Sequence, residues 1–274
     1  MENNRRHSSG SEYIPPDDSN EVWECTSKWR EYQMEVLKIN LVDGKRSDFI
    51  IGEPSINDGL IENVLLSSVV INDRNPPTYL TKAQKIFYRR VVQVTESKDE
   101  PPVDLVISEL LEASDFESNE LHFRPRPHLE MEWKGKCISS EPDFGVYSDE
   151  SRESEILEYM MVVEAKRAKA TSLQPERQLC GEMLVASYGR FLLAMGDQEV
   201  FGMIVHGNLI RFYKATFSKE YLIQISEDKI PNESVKVTRY PPRNCKPLSL
   251  INPVNREEII MILPSIRERI IKQL

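Results

Sequence analysis

A chain of 274 residues that is 40% hydrophobic has enough apolar content to bury a sizeable core. Its formal net charge of −9 excludes the uniformly basic character of a protein that coats nucleic acid through charge alone. No apolar run approaches the length of a membrane span. The four cysteines (Cys25, Cys137, Cys180, Cys245) form no CxxC pair, and the polar first nineteen residues lack the apolar stretch of a secretory signal. The expectation is a soluble protein of the cytoplasm or nucleus, with reduced thiols and no membrane partner.

Residues 1–20 are Asn, Ser, Gly, Pro and charge, with nothing to bury, and read as a disordered tail. Residues 21–99 read as a helical or mixed region packed on a later core. Helices are expected over Asn57 to Val70 and over Thr81 to Val94, the second with Thr81 as its N-cap, separated by the break at Pro76-Pro77. The core itself is expected at 100–252. Pro102 to Ala113 reads as a helix opened by proline, with Val103, Val106, Ile107, Leu110 and Leu111 as its apolar stripe.

Leu121 to Ile138 is strand-like, with Pro125 and Pro127 marking an edge or a bend. Pro142 to Tyr147 reads as a strand, Ser148 to Glu155 as a polar acidic loop, and Tyr159 to Lys166 as a buried strand. Pro175 to Met195 follows as a long helix. Val200 to Val205 and Leu209 to Ala215 read as two strands about a tight turn at His206-Gly207-Asn208. A closing helix at 253–274, strongest over Asn255 to Leu274, is expected to break or kink at Pro264.

Two short segments carry the chemistry. A strand sends alternate residues to one face, so Glu164 and Lys166 point together while Val163 and Ala165 face the other way. An acid and an amine on one face of so apolar a strand cost stability unless something uses them. The second segment, Glu141-Pro142-Asp143, is expected on the neighbouring strand. The other chemistry-bearing side chains read more plainly. His7, His122, His128 and His206 are scattered without ligand spacing, and Met160, Met161, Met183 and Met195 suit core packing. Arg124, Arg126, Lys134 and Lys136 read equally as phosphate contacts or as exposed strand charges.

The succession of helix, strand, strand with Pro142-Asp143, strand with Glu164-Ala165-Lys166, long helix and strand resembles the PD-(D/E)xK nuclease superfamily. From residue 100 to about 215 it is similar to the N-terminal nuclease domains of type I restriction enzyme motor subunits. The shared features are Val163 to Arg167, Gln178, Tyr188, and a hairpin from Phe201-Gly202-Met203-Ile204 through Gly207-Asn208 to Phe212-Tyr213. A looser similarity is to nuclease-like domains of Crinkler-type effectors. The turn departs from the pattern, with Val205-His206-Gly207-Asn208 where Thr-Asn-Gly is common. No phosphate-binding loop of a motor is present.

The resemblance implies an α/β fold, a restriction-endonuclease-like core with a mixed sheet and helices on both faces. It implies that Asp143, Glu164 and the backbone carbonyl of Ala165 hold Mg²⁺ or Mn²⁺. Lys166 then assists the attacking water, and Gln178 supports the site from the following helix, where it shares a face with Glu182. An upstream helix supplies another acid, with Glu100 and Glu109 both open. The implied activity is metal-dependent hydrolysis of phosphodiester bonds, with DNA ahead of RNA as substrate.

Charge supports a second reading, a catalytically inactive module of the same fold that binds nucleic acid or protein. Residues 95–122 carry a net −8 and residues 141–158 a net −6, both opposed to a polyanion, against a net +2 over 164–190.

Overall fold

The computed structural model describes residues 23–50, 52, 69–71, 75–96, 101–148, 157–167 and 174–274. The expected tail at 1–20, the expected helix over Asn57 to Val70 except Val69 and Val70, the acidic loop beyond Ser148, and Glu100 lie outside these residues. The fold is α/β. Six α-helices are described: α1 (Glu31–Val36), α2 (Lys82–Glu96), α3 (Pro101–Ala113), α4 (Gln174–Ala194), α5 (Lys219–Ser226) and α6 (Pro253–Ile271).

They pack around an eight-stranded mixed sheet. Its strands are β1 (Ile39–Asp43), β2 (Leu121–Pro125), β5 (Phe144–Ser148), β6 (Tyr159–Lys166), β7 (Gln198–His206), β8 (Leu209–Phe217), β9 (Val235–Tyr240) and β10 (Leu248–Ser249). The order is β1-β9-β8-β7-β6-β5-β2, with β10 on β8. β6 and β7 run parallel, as do β1 and β9, and the other pairs are antiparallel. β3 (Leu129–Trp133) and β4 (Lys136–Ser140) form a separate hairpin.

Both faces of the sheet are covered. On one face, α2, α3 and α6 pack apolar stripes such as Val103, Val106, Ile107, Leu110 and Leu111 against Val163, Ala165 and Met203. On the other, α4, α5 and the β3–β4 hairpin pack with Trp23 and Trp29 against Val162, Ile204 and Tyr213. Double coverage explains why β6 reads as apolar from Tyr159 to Val163 and is buried from Tyr159 through Ala165. Gly202 sets the approach of α4. A Cβ there would lie 2.9 Å from Leu179 Cδ2 and 3.0 Å from Met183 Sδ, so only glycine lets the helix come so close to β7.

Several local readings of the sequence coincide with the structure. Thr81 and Gln84 cap α2 reciprocally: the Thr81 amide donates to Gln84 Oε1 at 3.0 Å and the Gln84 amide to Thr81 Oγ1 at 3.2 Å. β2 is an edge strand ending at Pro125. The hairpin turns at Gly207, whose φ is +60°.

Others differ. The run from Leu121 to Ile138 is not one strand. Arg126, at φ +47°, turns the chain out of the sheet, and Lys134-Gly135, both at positive φ, reverse it into β4. Strand β5 begins at Phe144, so Asp143 precedes it rather than sitting within it. α6 does not break at Pro264: it continues to Ile271, with Ile259, Ile260, Ile262, Leu263, Ile266 and Ile270 buried along its length. Met195 is not a core residue; it is half exposed at the end of α4, in a left-handed conformation.

Candidate active site

The site forms where β5 starts and β6 ends. The ladder between them closes at Phe144–Val163 and does not continue along β6. Beyond it, the Asp143 carboxylate stands in for the missing strand: the Ala165 amide donates to Asp143 Oδ2 at 2.7 Å. The neighbouring residue faces the other strand, the Lys166 carbonyl accepting from the Gly207 amide at 2.9 Å. Alternation therefore puts the Ala165 carbonyl on the same edge as its amide, beside Asp143. The Asp143 carbonyl is held in turn by the Arg126 amide at 2.9 Å.

Glu164 and Lys166 share a face, as strand alternation requires, and form an ion pair. That face looks toward α4. From α4, Gln178 Nε2 donates to Glu164 Oε1 and, at 2.9 Å, to Glu182 Oε1. Thus Asp143, Glu164, Ala165, Lys166 and Gln178 come together. Glu182 joins them, a residue whose place on the Gln178 face was legible but whose role was not.

Electrostatics in this cluster are set by burial. Glu164 is 1% exposed and Glu182 fully buried. Desolvation pushes the Glu164 carboxyl above its ordinary range; the Asp143 charge adds to this, while contacts with Glu182 and Lys166 oppose it. Glu182 is pushed up further, by desolvation first and then by Glu164. For Lys166 desolvation acts downward, but the Glu164, Asp143 and Glu182 carboxylates outweigh it and the amine is raised. The ammonium form is therefore secure. His206, register partner of Lys166 on β7, is held below its ordinary value by burial, and the Lys166 charge acts the same way.

A second network fixes the start of α4. Arg239 donates to both oxygens of Glu176, at 2.9 and 3.0 Å, and to Asp43 Oδ1 at 2.6 Å. Tyr213 Oη donates to Glu176 Oε1 at 2.8 Å. These bonds tie the first turn of α4 to β1, β8 and β9, two residues from Gln178. The Arg239 hydrogen bond, with the Arg243 amide, holds the Asp43 carboxyl below its usual value.

Other expected members lie elsewhere. Glu109, on α3, pairs with Arg90 on α2 and packs on the opposite layer of helices. Burial raises its carboxyl, and its charged neighbours are Arg90 and Glu112, not Glu164. Tyr188 is buried near Glu132 and Asp228, away from the cluster. Lys134 is likewise remote, its amide donating to Asp228, while Arg126 stands beside the site with its side chain exposed.

The donor chemistry suits a hard divalent cation. Asp143, Glu164 and the Ala165 carbonyl offer oxygen only. Among the described residues no group of three or more His, Cys, Asp or Glu is placed to hold a metal ion. The set is instead two carboxylates and one carbonyl, the small protein share that Mg²⁺ takes when water and phosphate complete its shell. Such a cation would offset the negative charge that the carboxyls clustered about Lys166 carry once deprotonated.

No protein-family model matches the chain, and no curated protein matches it. No helix among the described residues is long and apolar enough to cross a membrane.

Proposed function

We propose that this chain is a metal-dependent nuclease that hydrolyses phosphodiester bonds, DNA before RNA, inside the cytoplasm or nucleus. The observation that carries the reading is the meeting of Asp143 with Ala165 and of Glu164 with Lys166 at one broken corner of the sheet. The order α3, β2, β5, β6, α4, β7, interrupted by the β3–β4 hairpin and with Asp143 just ahead of β5, supports the reading.

Asp143, Glu164 and the Ala165 carbonyl would hold Mg²⁺ or Mn²⁺. Such a metal polarises a phosphate and lowers the pKa of a water that it binds. The residues of the chain do the rest. Lys166 stays protonated and offsets charge that develops on the phosphate, or orients the attacking water. Gln178 holds Glu164 in place. Arg126 offers an exposed cation to a flanking phosphate.

The acidic span around Asp143 favours the second reading, an inactive module of this fold. Calorimetry separates the two. With Mn²⁺, the nuclease reading expects binding that Glu164→Gln abolishes; no binding, or binding indifferent to Glu164→Gln, favours the module.

A further inference from the structure

Gln178 has two amide hydrogens, and both are taken by carboxylates: one by Glu164 and one by Glu182. A glutamine amide is nearly symmetrical in shape, so on its own it flips at little cost and exchanges a donor for an acceptor. One carboxylate biases that choice, and two decide it. In the flipped state the Gln178 carbonyl oxygen would face two buried carboxyl groups and give up the two hydrogen bonds its amide donates to them.

Glu182 has no evident structural reason to be where it is. It lies fully buried on α4, and its Oε2 has no hydrogen-bond partner among the described residues. An apolar side chain of similar volume would avoid that desolvation cost. The spacing from Gln178 is four residues, which stacks the two side chains on one helix face. Glu182 Oε1 accepts from Gln178 whether the carboxyl carries a proton or not. The arrangement therefore persists across pH.

We propose that Glu182 is a positioning residue: with Glu164 it locks the Gln178 amide in one orientation, which leaves the Gln178 carbonyl as a fixed acceptor on the side away from the carboxylates. There it can receive a hydrogen bond from a water or a substrate hydroxyl that enters the site. This catalytic consequence rests on the nuclease reading; the locking of the amide does not.

The test uses the full chain labelled with ¹⁵N, with the Gln178 side-chain amide assigned by its loss in Gln178→Leu. In the wild type both Nε2 hydrogens should exchange with water about tenfold or more slowly than those of exposed glutamines. In Glu182→Leu at least one should exchange at the exposed rate, and Glu182→Gln, whose carbonyl still accepts, should restore protection. In parallel, Glu182→Leu should lower kcat about ten- to a hundredfold, with KM little changed and kcat recovered in Glu182→Gln.

A wild-type amide that exchanges as fast as exposed glutamines overturns the proposal, even if Glu182→Leu fails to fold. So does protection that survives in a folded Glu182→Leu. Protection in the wild type, lost in Glu182→Leu, together with no cleavage by the wild type, supports the positioning role and overturns the nuclease reading instead.

Discussion

The Ala165 amide donates to the Asp143 carboxylate at 2.7 Å, where the ladder between β5 and β6 has already ended. A side chain thus completes the edge of a strand, and the same contact brings an acid from before β5 to the Glu164–Lys166 face of β6. Whatever shifts β5 against β6 moves Asp143 relative to Glu164.

The raised Glu164 and Glu182 carboxyls set a pH dependence. An acid whose folded pKa lies above its unfolded value holds its proton longer in the fold. Stability without metal therefore falls as pH rises from the ordinary 4.5 through the raised folded values. Lys166, raised above 10.5, contributes stability that is lost only at pH above that figure. Metal affinity runs the other way, because Glu164 must lose its proton to bind. Thermal unfolding from pH 5 to 8 should show metal-free stability declining with pH, and Glu164→Gln should flatten the slope. Calorimetry should show Mn²⁺ binding strengthening over the same range.

Arg239→Ala leaves Glu176 buried beside Tyr213 without its cation, and removes the guanidinium from the Asp43 carboxylate. Removing one partner of a buried ion pair costs roughly 3–5 kcal/mol. Denaturant unfolding should register that loss. Because Glu176 lies two residues before Gln178, the variant that still folds should also cleave more slowly.

Gly202→Ala drives a methyl group into Leu179 and Met183, with contacts of 2.9 and 3.0 Å before relaxation. Overpacking of this kind costs about 1–3 kcal/mol. Either those side chains shift, or α4 lifts from β7 and carries Gln178, one residue before Leu179, with it. The expected result is a lower Tm and a fall in cleavage rate.

Arg126→Ala should weaken DNA binding without altering Mn²⁺ binding, since only its backbone touches Asp143. If the guanidinium meets one phosphate, the slope of log affinity against log salt should shrink by about 1. An unchanged slope removes Arg126 from the interface.

The parts of this fold that are local in the chain were legible as sequence. Strand alternation alone pairs Glu164 with Lys166; the stripe of α3, the Thr81 cap and the turn at Gly207 each rest on a few adjacent residues. What escaped depends on distant partners. β1 pairs with β9 across nearly two hundred residues, and nothing near Ile39 announces it. Pro125 and Pro127 signalled the bend after β2. The positive φ of Arg126 and of Lys134, at the two breaks that make three strands of one apparent run, belongs to residue types with no preference for it.

Glu182 shared the Gln178 face by spacing, but only the placement of α4 over β6 turns it toward Glu164. Glu109 was the alternative upstream acid on helix geometry. Its helix packs on the opposite layer and gives it to Arg90 instead.

The central claim is that Asp143 and Glu164 hold a metal with which this chain cuts nucleic acid. Its most direct test is cleavage of single- and double-stranded DNA and RNA by the purified full chain with Mg²⁺ or Mn²⁺, with Asp143→Asn and Lys166→Ala measured beside the wild type. Metal-dependent cleavage is expected, strongest on DNA, that chelation stops and that both variants lose by at least about a hundredfold while keeping their fold. Intact substrates under every condition, or cutting that survives in a folded Asp143→Asn, would contradict it.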